Sequence, residues 1–193
     1  MGYSTGAHSD QLVFALLAAG FATDCYDGQF FFDTGHPVIA ADGSEATASN
    51  MTAGASTPWF LLDTSRALQA IIFQDHKPWE FVARDALTDE NVFTKKEFQY
   101  GSDARSNVGY GLWQLAHGSK ATLDAANYEA ARSGMMSMKG DHGRPLGVLP
   151  NLLVVPPSLE GAANKIVKNE LTGGGNTNEW AGTAEVLVVP WLA

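Results

Sequence analysis

The stretch LLVVPPSLEGAANKIV, residues 152–167, indicates how the C-terminal part of the chain folds. Leu152 to Val155 form an uninterrupted apolar run, which is typical of a strand buried on both faces. Pro156 and Pro157 then favour the start of a helix, because proline suits the first helical turn. Five apolar residues follow at i, i+3, i+4, i+7 and i+8, which predicts a helix with one buried face. They are Leu159, Ala162, Ala163, Ile166 and Val167.

The sequence on both sides of this stretch extends it to a small α/β lobe. Thr122 can cap a long helix that runs through Met138 and is rich in alanine and methionine. Thr172 to Asn178 is a loop of glycine, asparagine and threonine, and Glu185 to Trp191 is a second candidate for a buried strand. The expected order from Thr122 to Ala193 is therefore helix, strand, helix, strand.

The sequence before this lobe favours β-structure after one N-terminal helix. Ser9 is a suitable N-cap for a helix that ends at Ala19, with Gly20 directly after it. The aromatic run Phe30 to Phe32 predicts a short strand. Residues from Gly35 to Pro58 have little periodicity and are expected to form an irregular loop, with a short strand at Val38 and Ile39.

The middle of the chain carries several short apolar runs separated by polar or turn residues. Two or more of them are expected to pair as a long antiparallel hairpin or meander. The fold class predicted for the whole chain is therefore α+β. The runs are Trp59–Leu62, Ala70–Phe73, Trp79–Arg84, Val92–Tyr100 and Val108–Ala116.

Composition and charge exclude several classes of protein. No apolar stretch approaches the roughly 20 residues that a membrane-spanning helix needs. The net charge is −9, and the twelve basic residues are scattered rather than clustered, which argues against a nucleic-acid-binding module. Cys25 is the single cysteine, so the 193-residue chain has no internal disulfide.

Signals for catalysis are weak. The five histidines are far apart in sequence, so they form no local metal-binding motif, and no catalytic, cofactor or metal residue is assigned. The alternative of an α/β hydrolase-like enzyme remains open, with Ser65 or Ser158 as nucleophile and a distant histidine. Ser65 follows Asp63 in a stretch that favours a turn and lacks the glycines of a nucleophile elbow. We therefore expect a protein that is not an enzyme.

Six segments of the chain are distinctive when taken together. They are HSDQLVFALLAAGF (residues 8–21), YDGQFFFDTGHPV (26–38), PWFLLDTSR (58–66), ENVFTKKEFQYGSDARSNVGYGLWQLAHGS (90–119), GRPLGVLPNLLVVPPSLEGAA (143–163) and WAGTAEVLVVPWLA (180–193). Each is of moderate specificity by itself. In this order they resemble the major head subunit family of Mu-like bacteriophages, and the similarity covers practically the entire chain.

The resemblance implies a capsid fold of the Hong Kong 97 type. Residues 1–121 would form the peripheral (P) domain, with the end of the spine helix and an antiparallel sheet from the strands between Pro58 and Ser119. Residues 122–193 would form the axial (A) domain. The family's subunits are longer at the N-terminus, so the chain is expected to match their C-terminal portion, without the N-terminal arm and the extended E-loop.

The resemblance also implies the function of a major capsid protein. Such a subunit assembles with copies of itself into pentamers and hexamers. It encloses DNA without sequence-specific binding, is located in the virion and in the host cytoplasm during assembly, and meets portal, scaffolding and decoration proteins. It needs no cofactor and no membrane. A non-viral, shell-forming compartment protein of the same fold remains an alternative.

Two segments are expected to contact neighbouring subunits. The first is a polar stretch that ends in a tryptophan, and the second is a glycine-rich loop followed by Trp180. Loops on rigid lobes commonly carry such contacts, although a solvent-exposed loop without a partner is an equally good interpretation. The candidate interface residues are Asp75, His76, Lys77, Trp79, Gly173, Gly174, Gly175, Asn176 and Trp180.

Overall fold

The structure is a computed structural model and describes residues 2–193. Helix α1 spans Gly2–Ala19, so it starts well before Ser9, and the prediction of Ser9 as N-cap was wrong. The Ser9 hydroxyl lies within the helix and donates to the Gly6 carbonyl at 3.5 Å. A serine that bonds back to its own helix in this way gives no cap. The predicted end of the helix at Ala19 is confirmed.

Three short strands occupy the segment that the sequence predicted to be mostly irregular. Strand β1 spans His36–Ile39 and pairs antiparallel with β2, Glu45–Ala48. Strand β3 comprises only Met51–Thr52. The short strand predicted at Val38 and Ile39 is confirmed, whereas the rest of the segment is more regular than its composition suggested.

The middle of the chain contains one buried strand and one long hairpin. Strand β4 spans Trp59–Leu62, as predicted. Strands β5, Ile71–Arg84, and β6, Gln99–Tyr110, pair antiparallel, and the short helix α2, Glu90–Lys95, lies between them. The predicted long antiparallel hairpin is confirmed. The two runs from Ala70 to Arg84, however, form a single 14-residue strand.

The remaining elements alternate between strand and helix. Strand β7 spans Ala116–Ser119, helix α3 spans Ala125–Met136 and strand β8 spans Leu152–Val155. Helix α4, Glu160–Val167, and strand β9, Glu185–Val188, follow, so the expected order of elements is confirmed. Short 3-10 turns lie at Trp113–Leu115, Asp141–Gly143, Pro157–Leu159 and Pro190–Leu192.

Helix α3 begins later than predicted. Its N-cap is Asp124 rather than Thr122, and the Asp124 carboxylate accepts from the Asn127 backbone N–H at 2.8 Å. Strand β9 ends at Val188, before the predicted end at Trp191. Both differences are shifts of an element's boundary and leave its identity unchanged.

Five strands form the central sheet in the order β3-β7-β4-β8-β9. Strand β4 lies between β7 and β8 and is antiparallel to both, with Phe60 opposite Gly118 on one side and Val154 on the other. Of the strands between Pro58 and Ser119, β5 and β6 form a separate antiparallel sheet, whereas β4 and β7 join the central sheet. The sheet takes strands from both sides of residue 121, and the assignment of residues 1–121 and 122–193 to P and A domains stays a prediction.

The hydrophobic core surrounds this sheet because its central strands are apolar on both faces. Trp59, Phe60 and Leu61 of β4 are fully buried, and so are the last three residues of β8. Helix α3 adds Tyr128 and Met135 to the same core. A continuous apolar strand needs cover on both faces, and the sequence pattern of β8 had predicted this arrangement.

The connector between α1 and β1, residues 20–35, contributes aromatic side chains to the core without forming a strand. Phe31 and Phe32 are buried, but their backbone N–H groups donate to the carbonyls of Thr23 and Gly20 at 3.0 and 2.9 Å. The strand predicted at Phe30 to Phe32 was therefore wrong. A side chain at Gly20 would meet the Phe32 ring, since an ideal Cβ there lies 2.8 Å from it.

Candidate interaction surfaces

The hairpin of β5 and β6 is anchored at its base. Helix α1 packs against both strands. The Tyr110 hydroxyl at the end of β6 donates to the carbonyl oxygen of Leu16 in α1 at 2.8 Å. Farther along the hairpin, Trp79 meets the ring of His8 edge to face, with 5.7 Å between ring centroids. One part of the ribbon is thus fixed against the helix.

A break in strand register divides the hairpin. The pairing shifts between Asp75 and Lys77 and again between Lys77 and Glu80, so the two strands locally carry unequal numbers of residues. Pro78 lies within this irregular stretch and has no backbone N–H to donate. The Lys77 ammonium lies 2.6 Å from an Asp103 carboxylate oxygen and 3.0 Å from one of Glu80. The hydrogen bonds that Lys77 donates, first to Asp103 and then to Glu80, raise the pKa of Lys77.

The first predicted interface segment coincides with this break. Asp75 and His76 are exposed, Lys77 is half-buried and Trp79 has 47% of its surface exposed. The structure therefore brings the four residues onto one irregular stretch of strand. Because the Lys77 ion pairs lie at the surface, with side chains 45–64% exposed, they contribute little to stability. Whether this stretch contacts another subunit stays a prediction.

Beyond the break lies an apolar surface that the sequence interpretation missed. We name residues 80–103 the distal arm; it contains the end of β5, helix α2 and the start of β6. Six large apolar or aromatic side chains on it are more than half exposed: Leu87 81%, Phe93 81%, Phe81 64%, Phe98 58%, Val82 53% and Tyr100 51%. Among residues 2–193, Val92 is the one apolar side chain of the arm that is buried.

The distal arm holds its own shape through local contacts. The rings of Phe81 and Tyr100 stack with 6.0 Å between centroids. The Asn91 side-chain amide donates to the carbonyls of Arg84 and Glu97, which closes the segment around α2. Soluble monomers rarely expose a contiguous apolar patch of this kind unless it is an interaction site. In the sequence, this surface was indicated by the density of aromatic residues around α2.

The second predicted interface segment divides into an exposed tip and a buried anchor. Gly173 to Asn176 are exposed and form a tight turn, in which the Thr172 N–H donates to the Asn176 carbonyl at 2.8 Å. Gly175 has φ +78°, a conformation that favours glycine. Trp180, by contrast, is half-buried and packs edge to face on Tyr128, with 5.9 Å between centroids. Trp180 therefore buries part of its surface against the core of its own chain.

The surroundings of Ser65 do not favour the hydrolase alternative. Its hydroxyl donates to the buried carboxylate of Asp63 at 2.5 Å rather than to a histidine. Burial opposes ionisation of Asp63, but hydrogen bonds from Ser65 and from the Leu149 N–H outweigh it and lower the pKa of the carboxyl group. Ser158 is exposed in a 3-10 turn. The Asp63 cluster is suited to holding a turn in place.

Within residues 2–193, one group of side chains has metal-ligand chemistry: Cys25, Asp27 and His36. Burial, followed by the hydrogen bond to Asp27, raises the pKa of the Cys25 thiol to about 11. The thiol donates to Asp27 at 3.0 Å, and His36 Nδ1 lies 2.7 Å from the same carboxylate. A metal ion would have to replace these bonds and remove the thiol proton, so the group is better described as a hydrogen-bonded cluster.

None of the helices in the described part of the chain combines the length and apolar character needed to cross a lipid bilayer.

Comparison with known proteins connects this fold to phage heads. The family model of the Mu-like prophage major head subunit gpT matches residues 1–192. The chain is 47% identical over 179 residues to the Mu-like prophage FluMu major head subunit of Haemophilus influenzae, covering 89% of this chain and 58% of that protein. It is 40% identical over 201 residues to the major capsid protein of Escherichia phage Mu, covering 100% of this chain and 66% of that protein.

Solved capsids have the same fold. A subunit in the procapsid of bacteriophage JBD30 superposes with a TM-score of 0.83 at 42% identity, over 99% of this chain and 66% of that subunit. A JBD30 capsid decorated with minor capsid protein trimers gives 0.79 at 29% identity, over 100% and 65%. The predicted α+β capsid fold of the Hong Kong 97 type is confirmed. The chain spans about three fifths to two thirds of the length of these relatives.

Proposed function

The chain belongs to the family of Mu-like prophage major head subunits, gpT, and on that premise we propose that it is the structural subunit of a phage head shell. Copies of the subunit assemble into the capsomers that enclose the DNA genome, so its site of action is the virion. The observation that carries this proposal is the distal arm. A ribbon that exposes six large apolar side chains is suited to contact between subunits.

A second copy of the chain is the partner that the distal arm fits best. In the relatives with solved structures, the matching chain is part of a procapsid or a capsid. A shell requires heterologous contacts, in which one surface of a subunit meets a different surface of its neighbour. The exposed apolar side chains of the distal arm provide one such surface. The irregular stretch from Asp75 to Trp79 and the turn from Gly173 to Asn176 are candidates for further contacts.

The negative net charge of the chain fits a shell that encloses DNA without binding it tightly. The net charge is −9, and Lys77, Arg66 and Arg132 already make ion pairs or hydrogen bonds within the chain. Phosphate binding requires clustered, available cations. We therefore expect the chain not to retain double-stranded DNA at moderate salt in an electrophoretic mobility assay. Retention with a steep salt dependence would contradict this part of the proposal.

A decorated shell is a further part of the proposal. One JBD30 capsid carries minor capsid protein trimers on its surface, and we expect the shell built from this family member to bind a decoration protein too. The portal and scaffolding proteins implied by the family resemblance stay predictions.

Self-association tests the role of the distal arm. Leu87→Ser combined with Phe93→Ser removes the two most exposed apolar side chains of the arm without touching the core. Burial of two such side chains contributes about 3 kcal/mol, so the double variant should self-associate about 100-fold more weakly in sedimentation velocity experiments. Leu68→Ser with Leu171→Ser is the matched control, since these residues are 61% and 59% exposed and lie outside the arm.

Two results would contradict the proposal. One is equal self-association of the arm variant and the control variant. The other is a strictly monomeric chain at millimolar concentration together with a full-length protein that forms no rings or shells in electron micrographs. The second result would refute the shell function itself, whereas the first would refute only the assignment of the surface.

A further inference from the structure

A buried polar cluster joins the connector between α1 and β1 to the rest of the fold. His36, at the start of β1, has no exposed surface. Its Nδ1 lies 2.7 Å from Asp27 Oδ2, and its Nε2 lies 3.1 Å from Asn50 Oδ1. The ring stacks on Trp113 with 3.9 Å between centroids and 8° between the ring planes. The protonation state of this ring can be derived from the roles of its neighbours.

The orientation of the Asn50 amide is fixed by three backbone groups. Its Nδ2 donates to the carbonyls of Phe31 and Trp113 at 2.8 and 3.2 Å. Its Oδ1 accepts from the backbone N–H of Asp33 at 3.0 Å. A rotated amide would place its NH₂ group against that N–H and its oxygen against two carbonyls. The atom that faces His36 Nε2 is therefore an acceptor, and Nε2 must carry a proton to bond to it.

Asp27 is an acceptor on the other side of the ring. Its Oδ1 accepts from the Cys25 thiol at 3.0 Å and from the Gln29 N–H at 3.1 Å. Burial favours the neutral acid, but the hydrogen bonds from Cys25, His36 and Gln29 outweigh burial and lower the pKa of Asp27. The carboxylate is therefore ionised at neutral pH, and His36 Nδ1 must also carry a proton to bond to Oδ2.

We propose that His36 carries a proton on both ring nitrogens, which donate to the Asp27 carboxylate and to Asn50, and that this pair locks the connector onto the central sheet. The lock goes beyond the shell function proposed above and does not depend on it. It joins three parts of the chain: the 25–29 turn, Asn50 directly before β3, and the Trp113 turn.

Few other titratable groups lie near the ring. Asp27 and Cys25 face it from the connector, and Asn50 and Trp113 contribute only neutral groups. A cavity of about 330 Å³ opens beside Asp27 and Trp113 and is also lined by Arg66, Lys139 and Asp141. The cavity is lined by two members of the cluster, Asp27 and Trp113, but not by His36 itself.

The lock needs both ring protons. Loss of either one would leave a nitrogen lone pair facing an acceptor oxygen in the core, and one of the two hydrogen bonds would be lost. A side chain at position 36 that cannot donate to Asp27 and Asn50 together should therefore loosen the connector.

Nuclear magnetic resonance of the imidazole nitrogens tests the assignment directly. Exposed or partly exposed His8, His76 and His142 can be replaced as His8→Gln, His76→Gln and His142→Asn; asparagine suits the φ of +61° at position 142. The two buried histidines then remain, and His117→Gln in the same background identifies which signals belong to His36. At pH 7, both His36 nitrogens should have the chemical shifts of protonated nitrogens, while His117 should be neutral. A His36 with one unprotonated nitrogen would overturn the proposal.

Hydrogen exchange of the His36→Gln variant provides a second measurement. The Asp33 and Gln29 amides donate into the cluster. Their protection factors should be at least tenfold lower in the variant than in the unaltered chain. The Asn151 amide, which donates to Leu62 within the sheet at 2.9 Å, should change far less. An equal change at both places would show general loosening and would refute a lock specific to the connector.

Discussion

The Tyr110 hydroxyl donates a 2.8 Å hydrogen bond to the carbonyl oxygen of Leu16, 94 residues earlier in the chain. Leu16 lies in the last turn of α1, where carbonyl groups lack a partner within the helix. The bond therefore satisfies a helix terminus and fixes the base of the hairpin in one contact. The Tyr110 ring also stacks on Phe31, with 4.3 Å between centroids.

Replacing this tyrosine isolates the hydroxyl. Tyr110→Phe should keep the stacking and lose about 1 kcal/mol of unfolding free energy, since a partly buried carbonyl loses its donor. Urea denaturation measures the change. Tyr26→Phe is the control, because the Tyr26 hydroxyl bonds to Gln114 at an exposed position and Tyr26 is 63% exposed. If both variants lose the same stability, the bond to Leu16 does not anchor the hairpin.

His117 makes the fold sensitive to acid. It is buried in β7, with its Nε2 2.9 Å from the Thr52 hydroxyl, and burial lowers its pKa from 6.5 to about 4. Between these values the unfolded chain binds a proton that the folded chain does not, so stability falls as the pH decreases. The loss should reach about 3 kcal/mol between pH 7 and pH 4.

The contribution of His117 is measured as a difference between proteins, because carboxyl groups also titrate over this range. His117→Gln keeps a polar group near Thr52 but cannot be protonated, so urea denaturation should show a flatter dependence on pH. His76→Gln, at an exposed position, should follow the unaltered chain. A variant at position 117 that is as sensitive to acid as the unaltered chain would refute the prediction.

Asp63 should stabilise the turn that the hydrolase hypothesis treated as a nucleophile site. Its buried carboxylate accepts from the Ser65 hydroxyl and backbone N–H and from the Leu149 N–H. Asp63→Asn places an NH₂ group against at least one donor and should cost about 2 kcal/mol in urea denaturation. Ser65→Ala removes a single hydroxyl and should cost about 1 kcal/mol. Covalent labelling of Ser65 by a serine-reactive probe would contradict this structural role.

Gly118 should tolerate no side chain. An ideal Cβ at this position of β7 would lie 2.7 Å from the Phe32 ring and 2.9 Å from the Phe21 ring. Because Phe32 is buried, the ring cannot move away freely, and Gly118→Ala should cost about 2 kcal/mol through overpacking. Gly109→Ala is the matched control, since a Cβ at that strand position meets nothing within 4 Å. Thermal unfolding of the two variants distinguishes local crowding from the general effect of replacing glycine in a strand.

Helices and strands were predicted well from the sequence where an apolar pattern is continuous or periodic. They were predicted poorly where contacts between distant residues determine the backbone pairing. The apolar run of β8 and the spacing of α4 were sufficient for both elements to be identified. Phe31 and Phe32 have the composition of a strand, but their backbone bonds go to a preceding turn. Sheet order was also beyond reach, because the pairing of β4 with β8 depends on residues about 90 positions apart.

Candidate surfaces show the same division. Trp180 looked like an interface residue because tryptophan is enriched at contacts, yet its packing on Tyr128 depends on the tertiary fold. Leu87 and Phe93 are apolar, yet they lie in the distal arm and are both 81% exposed. Sequence patterns report which residues are apolar, whereas the distance of a segment from the core decides which of them stay uncovered.

The order of strands in the central sheet has a consequence for synthesis in the cell. Strands β5 and β6 pair locally, so their ribbon can form as soon as residues 71–110 have left the ribosome. Its support comes later, because β4 remains without one neighbour until β8 emerges, and β8 until β9 emerges. During synthesis there is therefore a period in which the apolar distal arm has formed but the central sheet is still incomplete. The nascent chain should be most prone to aggregation, and chaperone binding most useful, during that period.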